Sequence, residues 1–278
     1  MHNDMDFEDF LKQRLEHISE RRPLIHHITN MVVMNETANL TLCLGALPVM
    51  AHAREEVEEM AAQAQALVLN MGTPYPALEE SMLAAGRVAN RAGVPVVLDP
   101  VGAGATAYRT RLVHRLAEEV SFTVIRGNAA EMAVLAGESA EIRGVESLSV
   151  KGDVESIAQH IATQLDCVAA VTGVVDTAGD GKSIVRVSNG HPLLGKVTGT
   201  GCMATTVIAV FLAGGEPYLE ATAAALALFG LAGERAADAG GKVPESLPGT
   251  FHVELYNSIY WLSTERKFLK KPRVELVS

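Results

Sequence analysis

The segment ALVLNMGTPYPALEESMLAAGRVANRAGVPVVLDP, residues 66–100, decides the fold. Ala66 to Asn70 is an apolar run with a polar end, and Val94 to Pro100 repeats the pattern and ends on Asp99. Between them, residues 77–92 carry apolar side chains at helical spacing. Continuous apolar runs read as strands buried on both faces, and parallel strands need a helix-length crossover. The segment is a βαβ unit.

The same alternation continues outward. Towards the N-terminus lie a helix over 55–65, a short strand or loop at 46–50 and a loop becoming a helix over 29–44. Before these come a strand at 24–28 and a helix over 7–20, on which Phe7, Phe10, Leu11, Leu15 and Ile18 share a face. Towards the C-terminus come a helix at 109–119, a strand at 122–128, a helix from Ala129, a helix at 154–164 and a strand at 168–173. This order predicts an α/β fold with a mainly parallel central sheet and helices on both faces. Residues 183–195 alternate around Asn189-Gly190, predicting an antiparallel hairpin on one sheet edge. Apolar helices over 203–213 and 218–239, and a last one over 247–265, complete a single expected domain, 1–278, with residues 1–15 as a helical extension.

A net charge of −10, with no basic run beyond Lys270-Lys271-Pro272-Arg273, argues against a nucleic-acid partner. Cys43, Cys167 and Cys202 are odd in number and lack CxxC spacing, so a disulfide framework or structural zinc is not expected and a reducing cytoplasm is. The N-terminus has no apolar signal region. The most apolar region, 203–232, is broken by Gly214-Gly215-Glu216-Pro217, short of the roughly 20 residues a membrane span needs. A soluble protein without a membrane partner is expected.

Ligands of parallel sheets bind beyond the carboxyl ends of the strands. Those ends carry Asn70 with Gly72-Thr73, Asp99 with Gly102 and Gly104, Arg126 with Asn128 and Glu131, and Thr172-Gly173. Arg126 is placed to clamp a phosphate bidentately, or to cap a strand end. Asp99 and Glu131 suit Mg²⁺ held through its waters; acids in a helix first turn, as at Glu131, are also favoured without a metal. Asn30 reads as a helix cap, and Asn35 and Asn39, one turn apart, suit a polar site or an exposed face. His26 and His27 read as buried histidines, and Met31, Met34, Met50 and Met71 as pocket lining or core.

The stretch GKVTGTGCMATT, 195–206, puts glycines ahead of a long apolar helix. Glycines let backbone approach a ligand, and the helix start presents free amides, a combination that suits phosphate. Gly199-Thr-Gly201-Cys-Met-Ala204 also fits a dinucleotide fingerprint, but it follows no first βαβ strand, which disfavours hydride chemistry.

Together, TNMVVMNETAN (29–39), NMGT (70–73), DPVGAGAT (99–106), RGNAAE (126–131), VTG (171–173) and TGTGCM (198–203) resemble the hydroxyethylthiazole kinase family. The resemblance implies a ribokinase-like three-layer fold and ATP-dependent phosphorylation of 4-methyl-5-(2-hydroxyethyl)thiazole with Mg²⁺ in thiamine salvage. It places ATP at Arg126, Asn128 and Thr172, and the thiazole at Met50, Gly199, Asn30, Val32 and Gly72. It sets Asp99 and Glu131 near metal and phosphates, Gly199, Gly201 and Cys202 at the reaction, and Cys202 where relatives carry an aspartate base. It also implies a homotrimer with active sites between subunits. The alternatives are another vitamin kinase of this superfamily, for hydroxymethylpyrimidine or pyridoxal, or a nucleotide-dependent dehydratase, which would keep an acid at position 202. A thiol at a helix start has its pKa lowered from about 8.5, so Cys202 is expected to be a weak base opposed by nearby phosphates.

Overall fold

Alternating apolar strands and amphipathic helices build one sheet of nine strands in the computed structural model, which describes residues 6–137, 151–239 and 247–277. The strands are β1 (Leu24–Ile28), β2 (Leu47–Val49), β3 (Ala66–Asn70), β4 (Val96–Asp99), β5 (Val124–Asn128), β6 (Val168–Thr172), β7 (Asp176–Gly179), β8 (Ile184–Val187) and β9 (Val274–Val277). Their spatial order is 2-1-3-4-5-6-7-8-9. The pairs from β2 through β6 are parallel, and those from β6 to β9 antiparallel.

The helices are α1 (Phe7–Arg21), α2 (Met34–Cys43), α3 (Val57–Gln63), α4 (Pro76–Ala92), α5 (Ala107–Glu119), α6 (Ala129–Leu135), α7 (Lys151–Leu165), α8 (Thr200–Leu212), α9 (Tyr218–Ala239) and α10 (Pro248–Thr264). They cover both faces. Strand residues alternate between two cores: Ala66, Val68 and Val97 join a core with α1, α2, α8, α9 and α10. Leu67, Leu69, Val96 and Leu98 join one with α3 to α7. The sheet order reverses between β1 and β3, because the chain leaves β1 for one neighbour and returns to the other side. Loops after these two strands diverge there and leave a crevice.

The hairpin differs from the expectation. Its turn is 180–183, between β7 and β8, where Asp180 Oδ1 accepts from the amides of Lys182 (2.9 Å) and Ser183 (2.8 Å) and Gly181 takes φ +85°. Asn189 is instead buried, accepting from the Arg273 amide at 2.7 Å and donating to Glu234. Arg273 leads into β9, which pairs with β8 and extends the antiparallel edge. Helix α8 opens at Thr200, so the glycine turn forms its first turn. Asn35 and Asn39 bond each other on an exposed face of α2, remote from any buried cluster.

The expected extension, 1–15, begins outside the described residues, but from Phe7 onward it packs as α1. Leu11 and Leu15 are fully buried in the core that α8 and α9 fill, and Arg14 donates to the carbonyls of Phe211 and Gly215. Truncating Leu15 to Ala removes packing that the helix cannot recover by local collapse. The expected loss is about 2–5 kcal/mol of unfolding free energy, measured by urea titration; a loss within error would make α1 a dispensable appendage.

Candidate active site

The carboxyl end of β4 places Asp99 where water does not reach it, at 0% exposure. A buried carboxylate needs donors from its neighbours. Asn70, its register partner on β3, donates Nδ2 to Asp99 Oδ2 at 2.8 Å, and Thr205 on α8 donates Oγ1 to the same oxygen at 2.9 Å. Asp99 Oδ1 has no hydrogen-bond partner among the described residues, and the Arg126 guanidinium stands 3.8 Å from it. Burial pushes the Asp99 carboxyl up to about 6, against the opposing pull of Arg126.

Arg126, at the end of β5, is also buried; it donates to Thr172 Oγ1 on β6, while its Nε has no partner among the described residues. An unpaired carboxylate oxygen and an unpaired guanidinium nitrogen, side by side and out of water, mark a place that a ligand completes. Gly201 lets α8 pass against this arginine, since a Cβ there would lie 2.8 Å from Arg126 Nη1. Gly199 caps α8 at φ +84° with no side-chain cap, which leaves the first-turn amides free for an anion. Its own Cβ position is filled by Val33 Cγ1, 2.6 Å away.

A cleft of about 480 Å³ opens from Arg126 along the start of α8. Asn128, Thr172, Gly173, Thr200 and Gly201 are among its lining beside Arg126, together with the apolar Pro192, Leu194, Leu226 and Phe229. That mixture suits phosphates and a flat base. The cleft residues from α9 and the Pro192–Lys196 turn were not legible as site residues, because they carry no reactive group and meet only in the fold.

On the other side of α8 lies a buried polar cluster at the sheet's reversal point. Asn30 is no cap: α2 starts from Val33 without a side-chain bond. Asn30 Nδ2 instead donates to Asn70 Oδ1 at 2.7 Å and to Cys202 Sγ at 3.7 Å. Gly72 must be glycine, since Asn30 Nδ2 would stand 2.5 Å from a Cβ there. The structure thus gathers Asn30, Gly72, Asp99, Arg126, Asn128, Thr172, Gly199, Gly201 and Cys202 around the start of α8. Met50 and Val32 stand apart: Met50 is half-buried just beyond edge strand β2, and the Val32 side chain is 60% exposed. Asn70 appeared only among the strand-end residues, and Thr205 gave no signal at all.

Two expectations change in detail. Cys202 is buried, and its thiol is pushed up to about 12, by burial first and then by the Asp99 charge, rather than lowered by the helix start. Glu131 closes a capping box with Asn128 and accepts from the amides of Gly102 (2.8 Å) and Asn128 (2.9 Å), so both of its oxygens already hold backbone. Asp99 Oδ1 is the freer acceptor. Among the described residues no three His, Cys, Asp or Glu side chains gather as a metal cage, and no helix is long and apolar enough to cross a membrane. His26 and His27 are wholly buried, Met71 is core, and Met31 is exposed.

A family model described as the hydroxyethylthiazole kinase family matches residues 15–265. A hydroxyethylthiazole kinase of Thermoanaerobacter pseudethanolicus is 53% identical over 247 residues, covering 88% of this chain and 94% of that one. The solved structure of hydroxyethylthiazole kinase from Pyrococcus horikoshii OT3 superposes with TM-score 0.85 at 42% identity, over 97% of this chain and 100% of that one. A ribokinase-like superfamily protein from Enterococcus faecalis V583 shares the fold, with TM-score 0.60 at 15% identity, over 89% of this chain and 93% of that one. The chain belongs to the hydroxyethylthiazole kinase family and has the ribokinase-like fold.

The buried carboxylate has a consequence for stability. A carboxyl whose folded pKa lies above its unfolded value costs nothing below about pH 4 and destabilises the fold as pH rises through about 6. In metal-free protein, Asp99→Asn should therefore gain stability relative to wild type between about pH 4 and 6 and keep that gain, without further increase, to pH 8. The gain should reach at most about 3 kcal/mol, at about 1.4 kcal/mol per pKa unit. Urea titrations at pH 4, 6 and 8 measure it; a pH-independent difference would contradict the raised pKa.

Proposed function

We propose, from the family and from the uncapped glycine turn packed against Arg126, that the chain transfers the terminal phosphoryl group of ATP to the primary hydroxyl of 4-methyl-5-(2-hydroxyethyl)thiazole. The observation that carries this reading is the position of that turn. It lies between a cleft of nucleotide size and the polar cluster of Asn30, Asn70 and Cys202.

Phosphoryl transfer has a loose transition state, so positioning and charge neutralisation supply most of its catalysis. The first-turn amides from Gly199 to Cys202 would receive the transferring phosphoryl group. Arg126, held by Thr172 and 3.8 Å from Asp99, would hold the developing negative charge. Asn128 and Thr172 would line the phosphate path and the apolar lining at Phe229 would take the base. Asp99 fits magnesium through its waters by its unpaired Oδ1, with Glu131 as a supporting acid that orders the loop at Gly102. Magnesium, when bound, neutralises triphosphate charge.

Cys202 is a poor base in this reading. A neutral thiol pushed to about 12 takes little part in proton removal, and its value is shape and neutrality beside Asp99. Asn30, Gly72 and Gly199 would border the acceptor alcohol, with the Val32 amide on Asn30 beside them. We infer the homotrimer that the resemblance implies from exposed apolar side chains along residues 31–47. Met31 at 67%, Val32 at 60%, Leu42 at 53% and Leu47 at 37% exposure are surfaces that a neighbouring subunit would cover. Met50 would then complete a neighbour's pocket. Three free cysteines suit a reducing cytoplasm.

ATP consumption with hydroxyethylthiazole, with and without Mg²⁺, tests the assignment, and a pyrimidine or pyridoxal alcohol preferred over thiazole would refute it. Arg126→Ala should lower kcat/KM for ATP by about 10²–10³-fold; unchanged ATP kinetics would remove it from the site. Cys202→Ser should retain turnover within about tenfold, because general base catalysis is worth roughly 10²–10⁴ where it operates. A loss in that larger range would restore Cys202 as the base.

A further inference from the structure

The two sides of the site are joined by a continuous line of buried amides. The Val32 amide donates to Asn30 Oδ1 at 3.0 Å, Asn30 Nδ2 to Asn70 Oδ1 at 2.7 Å, and Asn70 Nδ2 to Asp99 Oδ2 at 2.8 Å. Asn30, Asn70 and Asp99 are 3%, 1% and 0% exposed, so water does not substitute for a lost link. The line also has a fixed polarity. Val32 N on Asn30 Oδ1, and Gly72 N on Asn70 Oδ1 at 3.0 Å, pin each side-chain oxygen to a backbone donor. Each NH₂ group must then point onward, towards Asp99; a flipped Asn70 would face donors with donors and set its oxygen against a carboxylate.

Asn70 stands where the sheet order reverses. Its strand pairs with β1, which feeds the 29–33 loop, and with β4, which ends in Asp99. Asn30 packs over Gly72, where a Cβ would lie 2.5 Å from its Nδ2. A ligand that engaged Asp99 Oδ1 and Arg126 on the phosphate side would pull on the Asp99 carboxylate, to which Asn70 is bonded. Asn30 and the Val32 amide would have to follow, or a buried hydrogen bond would break.

We propose that Asn70 is a positioning residue that couples nucleotide occupancy at Asp99 and Arg126 to binding of the acceptor alcohol at the 30–32 loop. This rests on the kinase reading above and names how its two substrates sense each other. Coupling of this kind is reciprocal in affinity and is read from binding alone, without turnover.

Thr205 supplies the control. It donates to the same Asp99 oxygen as Asn70 but has no bond to Asn30. Asn70→Ser keeps a short acceptor for the Gly72 amide and cannot span Asp99 and Asn30; Asn70→Thr, which suits a strand, is the second variant should the first fold poorly. Thiazole-alcohol affinity is measured calorimetrically on the full chain, with and without a non-hydrolysable ATP analogue and Mg²⁺. Wild type should bind the alcohol at least about fivefold more tightly, or more weakly, when the analogue is present. In the Asn70 variants that ratio should fall within about twofold of unity, and alcohol KM should rise more than ATP KM. Thr205→Val should keep the wild-type ratio even where it loses as much stability in urea. Asn70 variants that keep the ratio, Thr205→Val losing it as fully, or a wild type with turnover but no coupling would each overturn the proposal. A wild type that phosphorylates no thiazole alcohol would overturn the kinase reading instead.

Discussion

A carboxylate held entirely out of water is the constraint on which the arrangement depends. Asp99 ends a strand whose other residues are all buried, so its charge must be met by protein. An unmet buried charge costs many kcal/mol, far more than any single packing contact returns. The partners come from three separate elements: the donors Asn70 on β3 and Thr205 on α8, and the Arg126 guanidinium on β5, 3.8 Å away. Satisfying Asp99 therefore fixes α8 over the ends of β3, β4 and β5. The apolar body of α8, buried from Cys202 to Leu212, holds the helix there. Its uncapped start is thereby aimed at the same point as the arginine.

Close approach then selects residue size. Three glycines sit where a methyl group would strike a neighbouring side chain: Gly201 against Arg126, Gly199 against Val33 and Gly72 against Asn30. The thiol of Cys202 follows from the same crowding. Beside an ionised, wholly buried Asp99, a second acid adds like charge at close range, whereas a neutral thiol adds none. The side chain that looks most reactive in the sequence is thus the one the environment quiets. Its helix-terminus signal is local, and the burial and charge that outweigh it are tertiary.

Legibility in the sequence follows that division between local and tertiary causes. Buried parallel strands announce themselves, because runs such as Ala66–Asn70 and Val96–Asp99 are apolar on both faces, and the reactive residues cluster at their polar ends. Asn30 misleads because its neighbours resemble a helix start. What takes it inward is the loop folding across the end of β3, a contact forty residues away in sequence. The hairpin turn was misplaced for a similar reason: Asp180-Gly181 and Asn189-Gly190 carry equal local signals, and Asn189 is claimed by Glu234 and the Arg273 amide. Strand β9, Val-Glu-Leu-Val, is too short to be seen alone, and pairs along the open edge of β8.

The reversal of sheet order explains why two chemically different half-sites share one helix start. On the β5 and β6 side the strands are parallel neighbours in chain order, and Arg126 and Thr172 open onto the cleft. On the β1 side the loops part, and the gap is filled by short side-chain amides that form a small, shaped, polar floor. Helix α8 crosses above the boundary between them, with Gly201 on the arginine and Cys202 on Asn30. In the proposed transfer, a group passed from the cleft to the amide cluster would cross the uncapped amides at that boundary, which the buried acid positions by fixing one helix.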